Sequence, residues 1–426
     1  MIVRNAPDHR LILDFAPSGH HSKYLRQLFR YGLSGEPEGR TRLLLSRDLL
    51  ANTERDLTAE ERGILRRQTN VIEEHPVYRW LVKAIKSRAI VERLFLEYLI
   101  ATNPANCEIV LMYLDPFLFQ LACLPLPRRC VSGLLFRTSF HYRYAGFPLN
   151  GLREKALFIA KYAMCYVCAR RPGFRRILGL DPFAELYAEK KWRTEKYVTI
   201  PDPIGPEPGD PSFCAKPPKQ SHGGRRVFLI CGELSRHKGV LVALRSFSSL
   251  EPEYLRNVSL RLVGPLYPPE REVLLRELNN LRKRQPIEIL LDDRFVSDLE
   301  LTEHICAADV VLNLYERSYG SSSIVIRAAM LARPVIATHQ GLVGHLVRVH
   351  RLGSVVNVCD IGAVADALRL FVKTGRIADF DAGAARAYAE SCAPSVFAQR
   401  LLSLDDPRQE VRNAAPICNS AVDWPR

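Results

Sequence analysis

The feature that most constrains this chain is an alternation of short apolar runs with longer helical patterns, which occurs twice along its 426 residues. Six runs in the first half have the composition of buried strands: Arg10–Phe15, Thr41–Leu45, Glu108–Leu114, Ser132–Phe136, Phe174–Leu178 and Tyr197–Ile200. Five follow in the second half: Arg226–Cys231, Ser259–Val263, Ile287–Leu291, Asp309–Leu314 and Pro334–Thr338. Strands that alternate with helices in this way predict parallel sheets covered on both faces.

A change of composition separates the two halves. Residues 201–225 contain seven prolines and four glycines but few apolar residues, which is typical of a linker. We therefore predict an N-terminal domain over residues 1–203, a linker over 204–225 and a C-terminal domain over 226–395. A short helix and a poorly ordered tail should occupy 396–426. The predicted fold is α/β, with two doubly wound Rossmann-like domains facing across a ligand-binding cleft.

The charge balance indicates an anionic partner. Lys and Arg number 60 against 46 Asp and Glu, which gives a formal net charge of +14 and a pI near 9.3. A nucleotide diphosphate, a phosphorylated acceptor or an acidic membrane surface would suit this surplus. Nucleic acid is the least favoured partner, because the basic residues are scattered and do not alternate with aromatic residues in one patch.

Cysteine usage favours a reducing, cytoplasmic compartment and no metal site. Eleven cysteines are present, but only Cys165 and Cys168 form a C-x-x-C pair, and a structural zinc ion needs four ligands. The polar start of the chain predicts no signal peptide, and no run of about 18 apolar residues predicts a membrane-spanning helix.

A basic helical pattern over Val77–Thr102 has two interpretations. Its cationic residues alternate with apolar ones, so the helix could lie on an anionic membrane and serve a lipid-linked acceptor. Packing on its own sheet is the favoured interpretation, since the apolar face is needed for the core.

Two loops in the second half have the character of phosphate sites. After the strand Arg226–Cys231, the loop Gly232–Gly239 carries Arg236 and Lys238 directly before a helix. Helix amino termini present free N–H groups and the positive end of the helix dipole to anions.

A second loop follows the strand that ends at Leu314. It contains Tyr319, Gly320 and the consecutive serines Ser321, Ser322 and Ser323, and a helix begins at about Ser323. One serine suffices to cap a helix, so three hydroxyl groups favour a second anion cradle.

These segments resemble a known family. Gly232, Leu234, Lys238 and Gly239 are similar to the G-R-L-x-x-x-K-G loop of the GT-B retaining glycosyltransferases, especially family 4 of the sequence classification. The residues 307–312 (AADVVL) resemble the family's A-D-V strand, and 329–337 (AMLARPVIA) resemble its A-M-A-x-G-x-P-V-I-A segment. Pro201–Pro203 resembles the turn that closes the family's first domain. The likeness covers about residues 195–375, and the first half matches only in layout.

The resemblance implies that the second domain binds a nucleotide-sugar donor and the first an acceptor. Lys238 would pair with the diphosphate, with Gly232 and Arg236 beside it. The serines 321–323 would bind the phosphates or the donor sugar, and Arg294–Ser297 would flank the nucleobase.

The chain departs from the family pattern at three positions. Glu233 replaces an arginine in the phosphate loop. The two positions where the family has a pair of glutamates are Gly320 and Ala328, and Glu316 lies four residues too early to replace the first of them.

Candidate catalytic residues lie in the first half, after predicted strands. The resemblance places His141 near the donor sugar, and Asp115 follows a strand end, so either side chain could act as the base toward an acceptor hydroxyl. The first strand–helix loop also contains Gly19, His20 and His21, which should line the same cleft.

The leading hypothesis is therefore metal-independent, cofactor-free transfer of a hexosyl group from a UDP- or GDP-sugar to a glycan or lipid-linked acceptor. The missing glutamates favour a second hypothesis, in which the protein is a weak or inactive homologue that acts as a binding partner in glycan synthesis. A third possibility is another GT-B enzyme, such as a nucleotide-sugar epimerase. No G-x-G-x-x-G follows any predicted strand, which disfavours a nicotinamide dehydrogenase.

Overall fold

The computed structural model describes residues 9–16, 20–37, 39–104, 106–127, 130–138, 140–141, 151–205, 224–316 and 320–403. Most of the predicted linker, the predicted tail from residue 405, Gly19 and Tyr319 lie outside these residues. The chain divides into two compact units, with boundaries between Pro203 and Ile204 and between Cys392 and Ala393.

The first unit contains a seven-stranded parallel sheet with the order β3-β2-β1-β4-β5-β6-β7. The strands are β1 (His9–Asp14), β2 (Thr41–Leu45), β3 (Thr69–Val71), β4 (Cys107–Leu111), β5 (Val131–Leu135), β6 (Phe174–Gly179) and β7 (Tyr197–Thr199). The helices between them are α1 (His20–Tyr31), α2 (Arg47–Glu54), α3 (Ala59–Gln68), α4 (Pro76–Ala84), α5 (Arg88–Thr102), α6 (Leu118–Cys123), α7 (Gly151–Arg170) and α8 (Pro182–Trp192). The strand order changes direction between β1 and β4, which makes this the switch point of the sheet.

The second unit repeats the plan with a six-stranded parallel sheet of order β10-β9-β8-β11-β12-β13. Its strands are β8 (Arg226–Cys231), β9 (Val258–Val263), β10 (Glu288–Asp292), β11 (Val310–Asn313), β12 (Val335–Thr338) and β13 (Gly353–Val356). Its helices are α9 (Val240–Ser248), α10 (Pro252–Leu255), α11 (Arg271–Arg284), α12 (Asp298–Cys306), α13 (Ser323–Met330), α14 (Gly341–Val349), α15 (Ile361–Thr374) and α16 (Ala382–Ser391). The switch point lies between β8 and β11. The prediction of two doubly wound α/β domains is confirmed.

The predicted single helix over Val77–Thr102 is wrong, because the chain forms α4 and α5 instead. Ile85 has extended φ and ψ angles and ends α4, and Ser87 is extended immediately before α5. Leu81 of α4 and Val91 of α5 are buried in the same core on either side of this break.

Each face of the first sheet is covered by its own group of helices. Side chains of α4 to α8 pack on one face, around Leu13, Leu111 and Leu135. Helices α1 to α3 cover the other face, around Ile12 and Val110. The alternation of Ile12 and Leu13 between the two clusters follows from the two-residue period of a strand.

The last helix, α17 (Pro394–Leu402), packs on α1 in the first unit although the second unit precedes it in the chain. Two buried guanidinium groups bind its last carbonyl oxygens. Arg10 donates to Leu402 at 2.6 Å, and Arg176 donates to Arg400 and Leu401, both at 3.2 Å. Burial lowers the pKa of Arg176 to about 10, so the group stays charged at neutral pH. Cations at a helix carboxyl terminus are stabilising, and here they fix α17 to the sheet.

Candidate functional site

The loop between β8 and α9 is held against the end of β11. The backbone N–H of Glu316 donates to the carbonyl of His237 at 3.0 Å, which ties the two loops together. Gly239 begins α9 with φ of 78° and lies directly against the main chain of Leu314. The two predicted phosphate loops therefore meet at the switch point of the second sheet.

Lys238 reaches from the first loop to the second. Its Nζ donates to the Tyr315 hydroxyl at 2.8 Å and lies 4.2 Å from the centroid of that ring. A cation–π contact of this kind orients the ammonium group without neutralising it. Within the part of the chain that the structure describes, Lys238 forms no ion pair, and it offers a positive charge at the carboxyl edge of the sheet.

The network continues from Tyr315 to the start of α13. The Tyr315 hydroxyl lies 3.2 Å from Ser322 Oγ, which also accepts from Asn313 Nδ2 at 3.0 Å. These three side chains are buried. Lys238 and Ser322, which the sequence placed in separate motifs, thus belong to one hydrogen-bonded group.

The first turn of α13 retains free donors. Ser322 occupies the N-cap position, but its hydroxyl makes no capping bond because it is engaged with Asn313 and Tyr315. Within the described structure, no residue accepts from the backbone N–H of Ser323 or Ile324. Free amides at a helix start, next to a lysine, have the chemistry of a phosphate cradle. Ser321 lies immediately before this turn.

The other charged side chains of the loop are exposed. Arg236 Nε pairs with Glu316 Oε2 at 3.2 Å, and the arginine side chain is 65% exposed. Glu233 is exposed. An exposed ion pair of this sort contributes little to stability, and its arginine can change partners. Arg236 is therefore a less well fixed cation than Lys238.

His237 is neutral near pH 7, because burial and the neighbouring Lys238 lower its pKa. Its ring centroid lies 5.9 Å from that of Tyr315. The positive charge of the loop therefore comes from Lys238 and not from the adjacent imidazole.

The segment Arg294–Ser297, expected beside the nucleobase, follows the edge strand β10. Ser297 caps α12 together with Glu300, and Arg294 donates to Glu300 at 2.6 Å. These hydrogen bonds lower the pKa of Glu300 to about 2. Phe295, between Arg294 and Ser297, is 85% exposed and presents an aromatic ring suited to base stacking.

In the first unit, Asp115 is engaged in a structural role. Its carboxylate accepts from the backbone N–H groups of Phe136 at 2.9 Å and Arg137 at 3.3 Å. Lys161 Nζ lies 3.1 Å from the same carboxylate. The aspartate thereby joins the carboxyl ends of β4 and β5, and its oxygens are already occupied.

His141 is also held inside the protein, with only 1% of its surface exposed. Its Nε2 lies 2.8 Å from Asp181 Oδ2, and Asp181 caps α8 through its other oxygen. Access to a substrate would require this buried pair to open, so the geometry does not favour His141 as the base.

A different aspartate–histidine pair lies at the switch point of the first sheet. Asp14, at the end of β1, is buried and accepts from the N–H of Ala16 at 2.9 Å. Its second oxygen lies 2.8 Å from Nδ1 of His21, whose side chain is 13% exposed. A carboxylate on Nδ1 fixes the tautomer that leaves Nε2 as a proton acceptor.

A cavity of about 250 Å³ adjoins this pair. It is lined by Asp14, Phe15, Tyr113 and Phe117 together with Arg88 and Glu92 of α5. Asp14 was not singled out from the sequence, and neither were Tyr315 and Asn313. The available signal was position, since Asp14 and Asn313 end the strands that flank the two switch points and Tyr315 follows two residues later.

Comparison with known proteins agrees with this fold. Residues 225–373 match the model of the family Glycosyl transferases group 1. Anabaena HepE in complex with UDP superposes with a TM-score of 0.58 at 13% identity, covering 96% of this chain and 100% of HepE. WaaG, a glycosyltransferase involved in lipopolysaccharide biosynthesis, gives a TM-score of 0.59 at 14% identity, covering 92% and 100%. Sucrose-phosphate synthase from Thermosynechococcus elongatus gives 0.56 at 15%, covering 95% and 98%. No curated protein matches the chain in sequence.

The chain therefore has the GT-B fold of these glycosyltransferases. The residues that match the Glycosyl transferases group 1 model lie in the second unit, and they include the Lys238 loop and the start of α13.

Proposed function

We propose that the protein transfers a hexosyl group from a nucleotide diphosphate sugar to a glycan or lipid-linked acceptor. The observation that carries the proposal is the hydrogen-bonded group of Lys238, Tyr315 and Ser322 at the switch point of the second sheet. It combines a lysine charge with the free amides of α13, which is what a diphosphate requires.

The leaving group is the part of the reaction that this site would stabilise. As the glycosidic bond to the diphosphate breaks, negative charge grows on the phosphate oxygens. Lys238 and the N–H groups of Ser323 and Ile324 are fixed in advance where that charge would form, and such preorganised donors lower the barrier. These groups supply the stabilisation without a metal ion or other cofactor.

One structural neighbour, HepE, supports a uridine donor. HepE is described in complexes with UDP and with UDP-glucose. UDP-glucose is therefore the first donor to test, with GDP-mannose as the alternative.

His21 is our candidate for the base in the first unit. Its Nε2 would take the proton of the acceptor hydroxyl while the acceptor oxygen bonds to the anomeric carbon. The electron pair of the broken bond leaves with the nucleoside diphosphate. Asp14 stabilises the imidazolium ion that forms.

Titration calorimetry with UDP, UDP-glucose, GDP and GDP-mannose tests the donor site. We expect Lys238→Ala to weaken nucleotide binding by about 10- to 150-fold, the equivalent of about 1.5–3 kcal/mol for a lost charged hydrogen bond. Lys373→Ala is the matched control, because Lys373 makes a similar contact with the ring of Tyr254 elsewhere in the second unit. Absence of binding to all four nucleotides would overturn the proposal.

The base is tested by hydrolysis of UDP-glucose, with water as the acceptor. His21→Gln should lower the rate of UDP release by about 10²- to 10⁴-fold without changing the affinity for UDP. His9→Gln, at the opposite end of β1, is the control. Equal rates in all three proteins would remove His21 from the mechanism.

A second candidate is a weak or inactive homologue that binds a nucleotide sugar within a synthesis complex. The observation in its favour is that Gly320 and Ala328 stand where the resembling family has two glutamates. Tight binding of UDP-glucose without detectable release of UDP, with acceptor extracts present, would favour this candidate over the transferase.

A further inference from the structure

Helices α4 to α7 form a contiguous row on one face of the first sheet. Helices α5 and α6 are joined by Gln120 Nε2, which donates to the carbonyl of Arg93 at 2.8 Å. Helices α6 and α7 contact each other through Cys168 Sγ, which lies 3.7 Å from the carbonyl of Leu118. All four helices contribute to the same hydrophobic core.

Topology places one end of this row at the carboxyl edge of the sheet. Helix α6 follows β4, so it begins at that edge. Helices α5 and α7 precede β4 and β6, so they end at the opposite edge and also begin at the carboxyl edge. Only three residues separate the end of α4 from the start of α5, which places the last turn of α4 there as well.

Large apolar side chains are exposed at this end of every helix in the row. Trp80 is 66% exposed, Phe119 is 64% exposed and Leu152 is 86% exposed. We call the whole set the apolar rim: Trp80, Val82, Ile90, Leu94, Phe119, Leu152, Leu157 and Ile159. Single exposed apolar residues are ordinary, but eight on the neighbouring halves of four helices indicate a binding surface.

Helix α7 shows that the exposed apolar side chains of the rim are separate from the apolar side chains that pack in the core. Cys165, Cys168 and Ala169 point into the protein. Leu152 and Ile159 lie on the opposite side of the helix, and both are exposed. The helix is therefore apolar on the side turned away from the core as well as on the side that packs.

The exposed charged side chains near the rim are basic. Six basic side chains are exposed there: Arg79, Lys83, Lys86, Arg93, Arg153 and Lys155. The carboxylates of α4 and α5 are Glu92 and Glu97, and both are half-buried. Glu92 accepts from Arg88 at 2.6 Å, and Glu97 accepts from Gln120 at 2.9 Å. Glu154, at the start of α7, is half-buried as well.

We propose that the apolar rim and its basic residues dock the protein on an anionic lipid surface. Trp, Leu and Ile side chains enter the interfacial region of a bilayer, and Lys and Arg bind the headgroup phosphates. A protein partner fits less well, because the cores of protein interfaces are depleted in lysine. Among the described residues, no helix has the length and apolar character to span a bilayer.

The position of the apolar rim indicates how a lipid contact would serve the proposed reaction. Arg88 and Glu92, at the start of α5, line the cavity beside Asp14. A lipid-linked acceptor would thus meet the protein next to the proposed base. Delivery of a lipid-linked acceptor in this way rests on the proposed function, whereas the lipid contact itself does not.

Vesicle flotation tests the proposal with the full chain. The vesicles are pure phosphatidylcholine, or phosphatidylcholine and phosphatidylglycerol at about 3:1. We expect binding to the anionic vesicles at low salt and much weaker binding to the neutral ones. Lys83→Glu/Lys86→Glu should weaken partitioning by about 25-fold or more, since each basic residue is worth about fivefold. Trp80→Ser/Leu152→Ser should weaken it by about tenfold, through lost apolar burial.

Leu370→Ser is the matched control, because Leu370 of α15 in the second unit is 56% exposed and lies outside the rim. Circular dichroism confirms that each variant is folded. The proposal is overturned if the wild type ignores anionic vesicles, if the control loses as much binding as the rim variants, or if the rim drives self-association without lipid binding. Calorimetry with UDP in the absence of lipid separates these outcomes from failure of the donor site.

Discussion

Gly239 approaches Leu314 so closely that a Cβ atom at the glycine would overlap the Leu314 carbonyl oxygen and lie 2.7 Å from the Leu314 Cβ. This contact sets the distance between the two phosphate loops, and with it the reach of Lys238 to Tyr315.

We therefore expect Gly239→Ala to destabilise the protein by more than about 3 kcal/mol, from a positive φ and a backbone clash together. Gly232→Ala is the control, since its φ of 97° is also positive but no atom lies within 4 Å of the added Cβ. The free energy of unfolding of Gly232→Ala should fall by only about 1–2 kcal/mol. Chemical denaturation measures both, and equal losses would show that the Leu314 contact is unimportant.

Tyr315→Phe removes one hydroxyl and leaves the ring over Lys238 in place. The lysine then keeps its cation–π contact but loses its hydrogen bond, as does Ser322. We expect nucleotide affinity to fall by about 2- to 12-fold, the equivalent of about 0.5–1.5 kcal/mol. Calorimetry should rank this loss below that of Lys238→Ala, and the reverse order would mean that the hydroxyl itself binds the ligand.

Arg176→Met tests the attachment of α17. The substitution removes two hydrogen bonds from a charged donor to buried carbonyl groups, while Glu108 keeps Arg175 as a partner at 2.8 Å. We expect the free energy of unfolding to fall by about 3 kcal/mol, which lowers the Tm by roughly 6–12 °C. Arg369→Met, which breaks only exposed ion pairs with Glu251 and Asp366, should shift Tm by less than about 3 °C in scanning calorimetry.

Acid should destabilise the second unit through His350. Burial lowers the pKa of this histidine, whose ring stacks on Tyr388 at 4.4 Å. The folded state therefore favours the neutral ring, whereas an unfolded histidine titrates near 6.5. The contribution of His350 to stability is present above that pH and is lost as the pH falls below it. His350→Phe keeps the stacking, so its Tm should drop less than that of the wild type between pH 7.5 and 5.0.

The strand pattern of the sequence is sufficient to predict both sheets, because buried parallel strands are continuous apolar runs. Two strands were not predicted, β3 and β13, and each is only three or four residues long at a sheet edge. The break between α4 and α5 was also not predicted, since neither glycine nor proline marks Ile85–Ser87. Tertiary packing decides that boundary.

The candidate site was only partly predictable, for a related reason. Lys238 and Ser322 were identified because glycine and serine loops at helix starts have a local signature. The hydroxyl of Tyr315 and the carboxylate of Asp14 have none, because their importance comes from partners that the fold brings close. His141 and Asp115 have the right positions after strands, but burial of the one and backbone contacts of the other could not be read from sequence.

The return of α17 to the first unit means that this unit is not encoded by one continuous stretch of the chain. A fragment that stops at Pro203 would remove the carbonyl oxygens that Arg10 and Arg176 bind, and with them the packing of Phe397 against Tyr24. An autonomous first unit would have to be engineered, either by a short loop that joins Pro203 to Ala393 or by a separate peptide of residues 393–403 that completes the fragment.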